Sequence, residues 1–188
     1  MKVREASIYC DYTSGNLRGE CVKCSQKRLS ELPGIFEDEE AFQRMNADEI
    51  IYHVQVHDNG ENGKNGGLFF GTSFLHPGKV GNEFYMTKGH FHEKIDAAEY
   101  YWCIEGRGYL ILQDEVGTCK IEKMEKGSLH YIPGRYAHRL VNIGDTILSV
   151  GACWPSDAGH NYTVASSFNV RIKEVQGKIV IENNLRGK

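Results

Sequence analysis

The residues best equipped for chemistry in this chain are three histidines and a glutamate. His90 and His92 stand in Lys88-Gly89-His90-Phe91-His92, Glu99 follows, and His138 comes later. On a strand, residues two apart point to the same face, so His90 and His92 can reach one ion while Phe91 packs behind them. Glu99 opens the next apolar run, Ala98-Glu99-Tyr100-Tyr101, and His138 follows the turn Pro133-Gly134-Arg135-Tyr136-Ala137. Two imidazoles from one strand, a carboxylate from its neighbour and a third imidazole from a returning strand describe a metal site at the mouth of a barrel. Such donors suit Fe(II), Mn, Ni, Co, Zn or Cu better than Ca or Mg. Four protein ligands leave two positions of an octahedral ion open, which fits a substrate-binding metal rather than a closed structural zinc.

The elements that must position these groups are strands. From about Ile50 to Trp154, short β-branched and aromatic runs recur: IIYHVQV, GLFFGTSFL, EYYWCI, GYLILQ, TCKIEKM, SLHYIP, HRLVNI and ILSVGACW. Gly, Asn and Asp clusters separate them, the pattern of a sandwich or barrel. Ahead of this zone, residues 1–49 read as an N-terminal extension. It holds a polar, glycine-bearing segment and a helix running roughly from Pro33 to Met45, with acids early where a helix dipole favours them. Beyond it, residues 156–188 form a looser C-terminal segment with two further strands, FNVRIKEV and KIVIEN. No linker divides the 188 residues, so residues 1–188 are expected to form a single domain.

Composition excludes several classes. A net charge of −3, from 22 basic and 25 acidic residues interspersed along the chain, leaves no basic stripe for nucleic acid. No apolar run approaches the ~18 residues of a membrane span, and the N-terminus lacks a secretory pattern, so a cytoplasmic location is expected. The six cysteines show no disulfide framework, and Cys21 and Cys24 are read as free thiols. His53, His57, His76 and His130 have no ligand spacing among themselves and are expected to be ordinary strand or surface residues.

The order His90-x-His92-x6-Glu99-x6-Gly106, then Gly127-x5-Pro133-x4-His138-x3-Asn142, resembles the two motifs of the cupin superfamily. This implies an all-β fold, a double-stranded β-helix or jelly-roll barrel, with a short N-terminal helix and terminal strands. Two departures concern loops: the gap from His92 to Glu99 is longer than usual, and Arg135 stands where the second motif has a glycine. The longer gap occurs in one branch. The runs Pro77 to Phe84, Thr87-Lys88-Gly89-His90-Phe91-His92, Ala137-His138-Arg139 and Pro155 to Tyr162 look like the cupin-type glucose-6-phosphate isomerases. Arg28-Leu29-Ser30, with Gly34, Phe36, Asp38 and Glu39, is similar to that family's N-terminal region.

The resemblance implies interconversion of glucose 6-phosphate and fructose 6-phosphate by a homodimer holding one divalent metal per subunit. Fe(II) is the first expectation, with Mn, Ni, Co or Zn as alternatives. Carried over residue by residue, it places Glu99, Tyr101 and His160 in catalysis. Tyr52, Thr87, Gly89 and Tyr162 fall in substrate binding, and His90, His92, Glu99 and His138 at the metal. Trp154 stands where some relatives have a tyrosine, so a hydroxyl contact made there is lost here. The rival readings are another metal-dependent cupin enzyme, a dioxygenase or a different sugar isomerase, and a sugar-sensing cupin without turnover.

Overall fold

A computed structural model describes residues 1–184, and the last four residues of the expected C-terminal segment lie outside it. In chain order the strands are β1 (Ile8–Cys10), β2 (Leu17–Gly19), β3 (Val22–Arg28), β4 (Ile50–His57), β5 (Leu68–Leu75), β6 (Lys79–Val80) and β7 (Glu83–Phe84). They continue with β8 (Glu99–Glu105), β9 (Arg107–Asp114), β10 (Cys119–Glu125), β11 (Leu129–Ile132), β12 (Tyr136–Asn142), β13 (Leu148–Pro155), β14 (Val170–Val175) and β15 (Lys178–Asn183). All ten runs read as strands from residue type and alternation are strands here, and the fold is the all-β cupin barrel expected.

Every named strand pair is antiparallel. The large sheet has six strands in the order β11-β8-β13-β5-β4-β3, with the late strand β13 inserted between β8 and β5. A three-stranded sheet, β10-β9-β12, lies across from it, and β15-β14-β7-β6 form a third. The core gathers Ile51, Leu75, Leu110, Leu112, Ile132, Val141, Leu148 and Val150 from these sheets. β9 is buried along most of its length, as a central strand enclosed on both faces must be.

Three local expectations change. The helix α1 is only Glu39–Arg44, because Gly34 turns the chain with φ +72° and Asp38 caps the helix by accepting from the Ala41 amide at 2.8 Å. The large sheet begins well before Ile50, since β3 pairs along β4 from Val22 to Arg28. Its sequence, VKCSQKR, has no apolar alternation, because this edge strand buries little of either face. Third, His90 and His92 do not lie on a regular strand. They sit in an extended segment tied by two isolated bridges, His90 to His138 and Phe91 to Asn161.

Arg135 takes φ +67° at the place where the cupin motif has glycine. A left-handed conformation costs an ordinary residue about 1–2 kcal/mol. Its guanidinium ion pairs at 2.9 Å with Asp96 and at 3.0 Å with Glu115 hold the turn.

Candidate metal centre

Strand alternation builds a cavity of about 250 Å³ between the large sheet and the β12 side. Each strand contributes residues two apart: Ser25 and Lys27 from β3, Tyr52, Val54 and Val56 from β4, Gly71 and Ser73 from β5. Glu99 and Tyr101 come from β8, Ala152 and Trp154 from β13, and His138 and Leu140 from β12. The segment Thr87 to His92 and the pair His160 and Tyr162 close it. All ten residues singled out in the sequence therefore line one cavity of small-molecule size.

At its base, one donor atom from each of His90, His92, Glu99 and His138 lies within 4.8 Å of the others. His138 Nε2 stands 2.6 Å from Glu99 Oε1, and His92 Nε2 stands 3.4 Å from the same oxygen. Glu99 Oε1 and His138 Nε2 are nevertheless buried without a hydrogen-bond partner. Buried polar atoms that lack a partner are costly. Two lone-pair atoms orphaned together and aimed at a shared point fit a cation between them. The far nitrogens agree: His92 Nδ1 lies 2.9 Å from the Ala97 carbonyl, where its N–H donates, leaving Nε2 free to ligate.

Electrostatics sort the groups by protonation. Burial disfavours the Glu99 carboxylate, but the adjoining His138 and His92 outweigh it and hold the carboxyl down at about 2. Burial and the neighbouring imidazoles push His90 well below the ordinary histidine value, so it is neutral and able to ligate. His160 is lowered chiefly by burial. Burial raises Tyr52, Tyr101 and Tyr162, keeping all three phenols protonated as hydrogen-bond donors near neutral pH.

Gly89 makes the bend at the cavity wall. Its φ of +73° is a left-handed conformation, and a Cβ there would lie 2.6 Å from the Phe168 ring. Arg139 fastens the same bend from behind. This buried guanidinium lies 4.2 Å over Phe168, donates to the Lys88 carbonyl at 2.6 Å and also bonds the Ala165 carbonyl. Thr87 Oγ1 accepts from the Leu140 amide at 3.0 Å, so its own hydrogen is free to donate elsewhere.

Regular alternation would have turned Lys88 away from Thr87 and out of the site. The bend at Gly89 breaks that alternation, and both residues line the cavity. The Lys88 ammonium lies 4.6 Å from the centre of the Tyr162 ring, which itself stacks parallel to His160 at 5.9 Å. Lys27 is the second cation on the wall, and nothing in its strand's composition pointed to it. Of the remaining histidines, His130 is locked 2.6 Å from Glu122 and 2.8 Å from Ser128, and His57 lies on β4 opposite Val22. His53 and His76, which sequence spacing kept apart, meet with ring nitrogens 3.4 Å apart.

Comparison with known proteins bears on this cavity. The sequence model of the family "Glucose-6-phosphate isomerase (GPI)" matches residues 26–184. The chain is 42% identical to the glucose-6-phosphate isomerase of Thermococcus litoralis, over 98% of this chain and 97% of that protein. It is 41% identical to that of Pyrococcus furiosus, over 96% of each. A bacterial relative of the same name from Sinorhizobium medicae is 35% identical, over 80% of this chain and 71% of that protein. Among solved structures, an oxalate oxidase in complex with the substrate analogue glycolate aligns at 12% identity and a TM-score of 0.47. That alignment covers 79% of this chain and 58% of the oxidase, too loose a likeness to bear on chemistry.

Proposed function

The chain belongs to the glucose-6-phosphate isomerase family, and on that premise we propose that it interconverts glucose 6-phosphate and fructose 6-phosphate in a metal-dependent reaction. The observation carrying the metal dependence is the pair of orphaned buried atoms, Glu99 Oε1 and His138 Nε2, at the floor of the cavity. His90, His92, Glu99 and His138 would hold one divalent ion, Fe(II) by preference with Mn, Ni, Co or Zn as substitutes. Such an ion supplies Lewis-acid polarisation of the carbonyl oxygen.

The protein's own groups account for the rest. In the open-chain sugar one C–H bond breaks at C2 and one forms at C1, while a hydroxyl proton moves from O2 to O1. Glu99, ionised and beside the cavity, is the group we assign to the carbon-bound proton. Tyr101, two residues along the same strand face, and the neutral His160 serve the oxygens. Tyr52 and Tyr162 donate to sugar hydroxyls. Thr87, the Gly89 bend and the two cations, Lys27 and Lys88, form the phosphate end. Trp154 packs on Phe69 at 5.7 Å and offers an apolar wall where a tyrosine would offer a hydroxyl.

The same reading makes residues 1–188 a single cupin domain that acts as a cytoplasmic homodimer in glycolytic and gluconeogenic sugar-phosphate exchange. No helix among the described residues is long and apolar enough to cross a membrane.

The deciding experiment strips the protein with chelator and assays fructose 6-phosphate before and after adding Fe(II), Mn(II), Ni(II) or Zn(II). Glucose 6-phosphate should form only with metal restored. A folded, metal-loaded protein that turns over no sugar phosphate would sink the assignment, and oxygen uptake in its place would favour a dioxygenase.

A cation on the phosphate adds about 1.5–3 kcal/mol of charge-assisted hydrogen bonding. Lys88→Ala should therefore raise KM for fructose 6-phosphate about 10- to 100-fold, with kcat changed only a few-fold. Lys27→Ala should do less, because Lys27 already pairs with Glu31 at 2.8 Å and is partly exposed. Steady-state KM against kcat for both variants checks this, and an unchanged KM in Lys88→Ala would remove that lysine from the phosphate site.

A further inference from the structure

The two segments that close the cavity, Thr87 to His92 and the pair His160 and Tyr162, are joined behind its wall by a single nitrogen. Arg139 lies on β12 between His138 and Leu140, which face the cavity, so alternation turns its side chain to the other side. There Nη2 donates to the Lys88 carbonyl at 2.6 Å and also to the Ala165 carbonyl. Ala165 ends the short 3-10 turn Tyr162–Val164, so the second bond anchors the segment that carries Tyr162. On the cavity side the same two segments meet again, with the Lys88 ammonium 4.6 Å from the Tyr162 ring centre. Arg139 is buried and forms no ion pair among the described residues; the charge of Glu83 reaches it, but that carboxylate is bonded to Arg171 at 2.7 Å. A buried guanidinium without a carboxylate is expensive, and an apolar side chain of similar volume would ordinarily serve stability as well.

We infer that Arg139 is a positioning residue for the phosphate end: without touching the sugar phosphate, it holds Lys88 and Tyr162 in the arrangement that receives the anion. The inference deepens the isomerase reading and rests on it for the identity of that anion. The neighbouring residues have their own fastenings. The Thr87 amide donates to the Leu140 carbonyl at 3.0 Å, and His90 and His138 exchange backbone hydrogen bonds at 3.3 and 3.0 Å. Between these fixed points Lys88 and Gly89 make the left-handed bend, and Arg139 braces it. The guanidinium packs directly behind Gly89, where a Cβ would lie 3.1 Å from Arg139 Nε and 2.6 Å from the Phe168 ring. Losing the guanidinium therefore frees the Lys88 carbonyl and the Ala165 carbonyl together, while the bridge between His90 and His138 stays in place. The effect falls on anion affinity and spares the candidate metal ligands.

The test compares Arg139→Met with Arg171→Met, the other buried guanidinium, as full-length, metal-loaded chains. The Kd for inorganic phosphate is read by calorimetry, beside KM and kcat for fructose 6-phosphate and metal content. Arg139→Met should raise both the phosphate Kd and KM about 5- to 30-fold, the size of a typical coupling between touching residues, with kcat changed only a few-fold and metal content unchanged. Arg171→Met should lower Tm and leave both affinities as they were. In a Lys88→Ala chain, Arg139→Met should add less than about 3-fold, because the cation it positions is already gone. If Arg139→Met does not fold, Arg139→Gln, which keeps one amide donor, decides by the same readouts. Weakened phosphate binding in a chain that never turns over fructose 6-phosphate would keep the inference and sink the isomerase reading. No phosphate binding by the unaltered chain, an unchanged Kd in folded Arg139→Met, an equal loss in Arg171→Met, or full additivity with Lys88→Ala overturns the inference.

Discussion

Replacing Glu99 by glutamine should lower kcat for fructose 6-phosphate isomerisation by a factor of about 10²–10⁴, the usual worth of a positioned acid–base group. The substitution preserves size and one oxygen, so packing beside His92 and His138 is little disturbed. What it removes is a charge that the site is built around: a buried carboxylate held down at about 2 by two imidazoles. Metal content measured alongside kcat separates the two parts of the loss. A variant that is metal-replete yet slow identifies Glu99 with the proton at carbon. Full activity at full metal occupancy would remove Glu99 from the chemistry, and activity that simply tracks metal content would make it a ligand alone.

Breaking the buried ion pair between Arg171 and Glu83 should have the largest effect on stability. Arg171 Nη1 lies 2.7 and 3.0 Å from the two Glu83 oxygens, and both side chains are almost fully buried. The same guanidinium donates to the Ile35 carbonyl at 3.2 Å, and Glu83 accepts from the Glu37 amide at 2.9 Å. The pair thus holds β14 and β7 against the loop before α1. Arg171→Met strands a buried carboxylate and should cost about 3–5 kcal/mol, roughly 6–20 °C in Tm for a domain of this size. The double variant Arg171→Met, Glu83→Leu should recover most of it, because a matched apolar pair leaves no buried charge unpaired. Thermal melts of both decide. A double variant as unstable as the single one would show that packing, not charge pairing, dominates there.

The parts legible in the sequence were those carried by apolar periodicity and by chemically distinctive residues. Nine of the ten hydrophobic runs announced strands that bury apolar residues, whereas β15 leaves Ile179 and Ile181 exposed and was legible from β-branched residue type alone. His90, His92, Glu99 and His138 announced themselves by donor type and order. β3 was not legible, because an edge strand needs little apolar surface, and its two cavity residues, Ser25 and Lys27, look like solvated polar positions. The place of Lys88 was not legible for a different reason: alternation holds only on a regular strand, and the left-handed Gly89 ends it. The meeting of His53 and His76 lies beyond spacing rules altogether. It depends on the register of β4 against β5, which local sequence does not specify.

The position of β13 at the centre of the large sheet sets an order of events during synthesis. β8 and β5 are joined only through β13, so the cavity's wall stays in two halves until residues 148–155 have emerged and slotted between them. All four candidate ligands leave the ribosome before that strand. The nascent chain therefore carries its metal-binding side chains without the wall that aligns them. On the metal-dependent reading proposed above, loading would follow folding, unlike the small zinc modules whose ion drives the chain to fold.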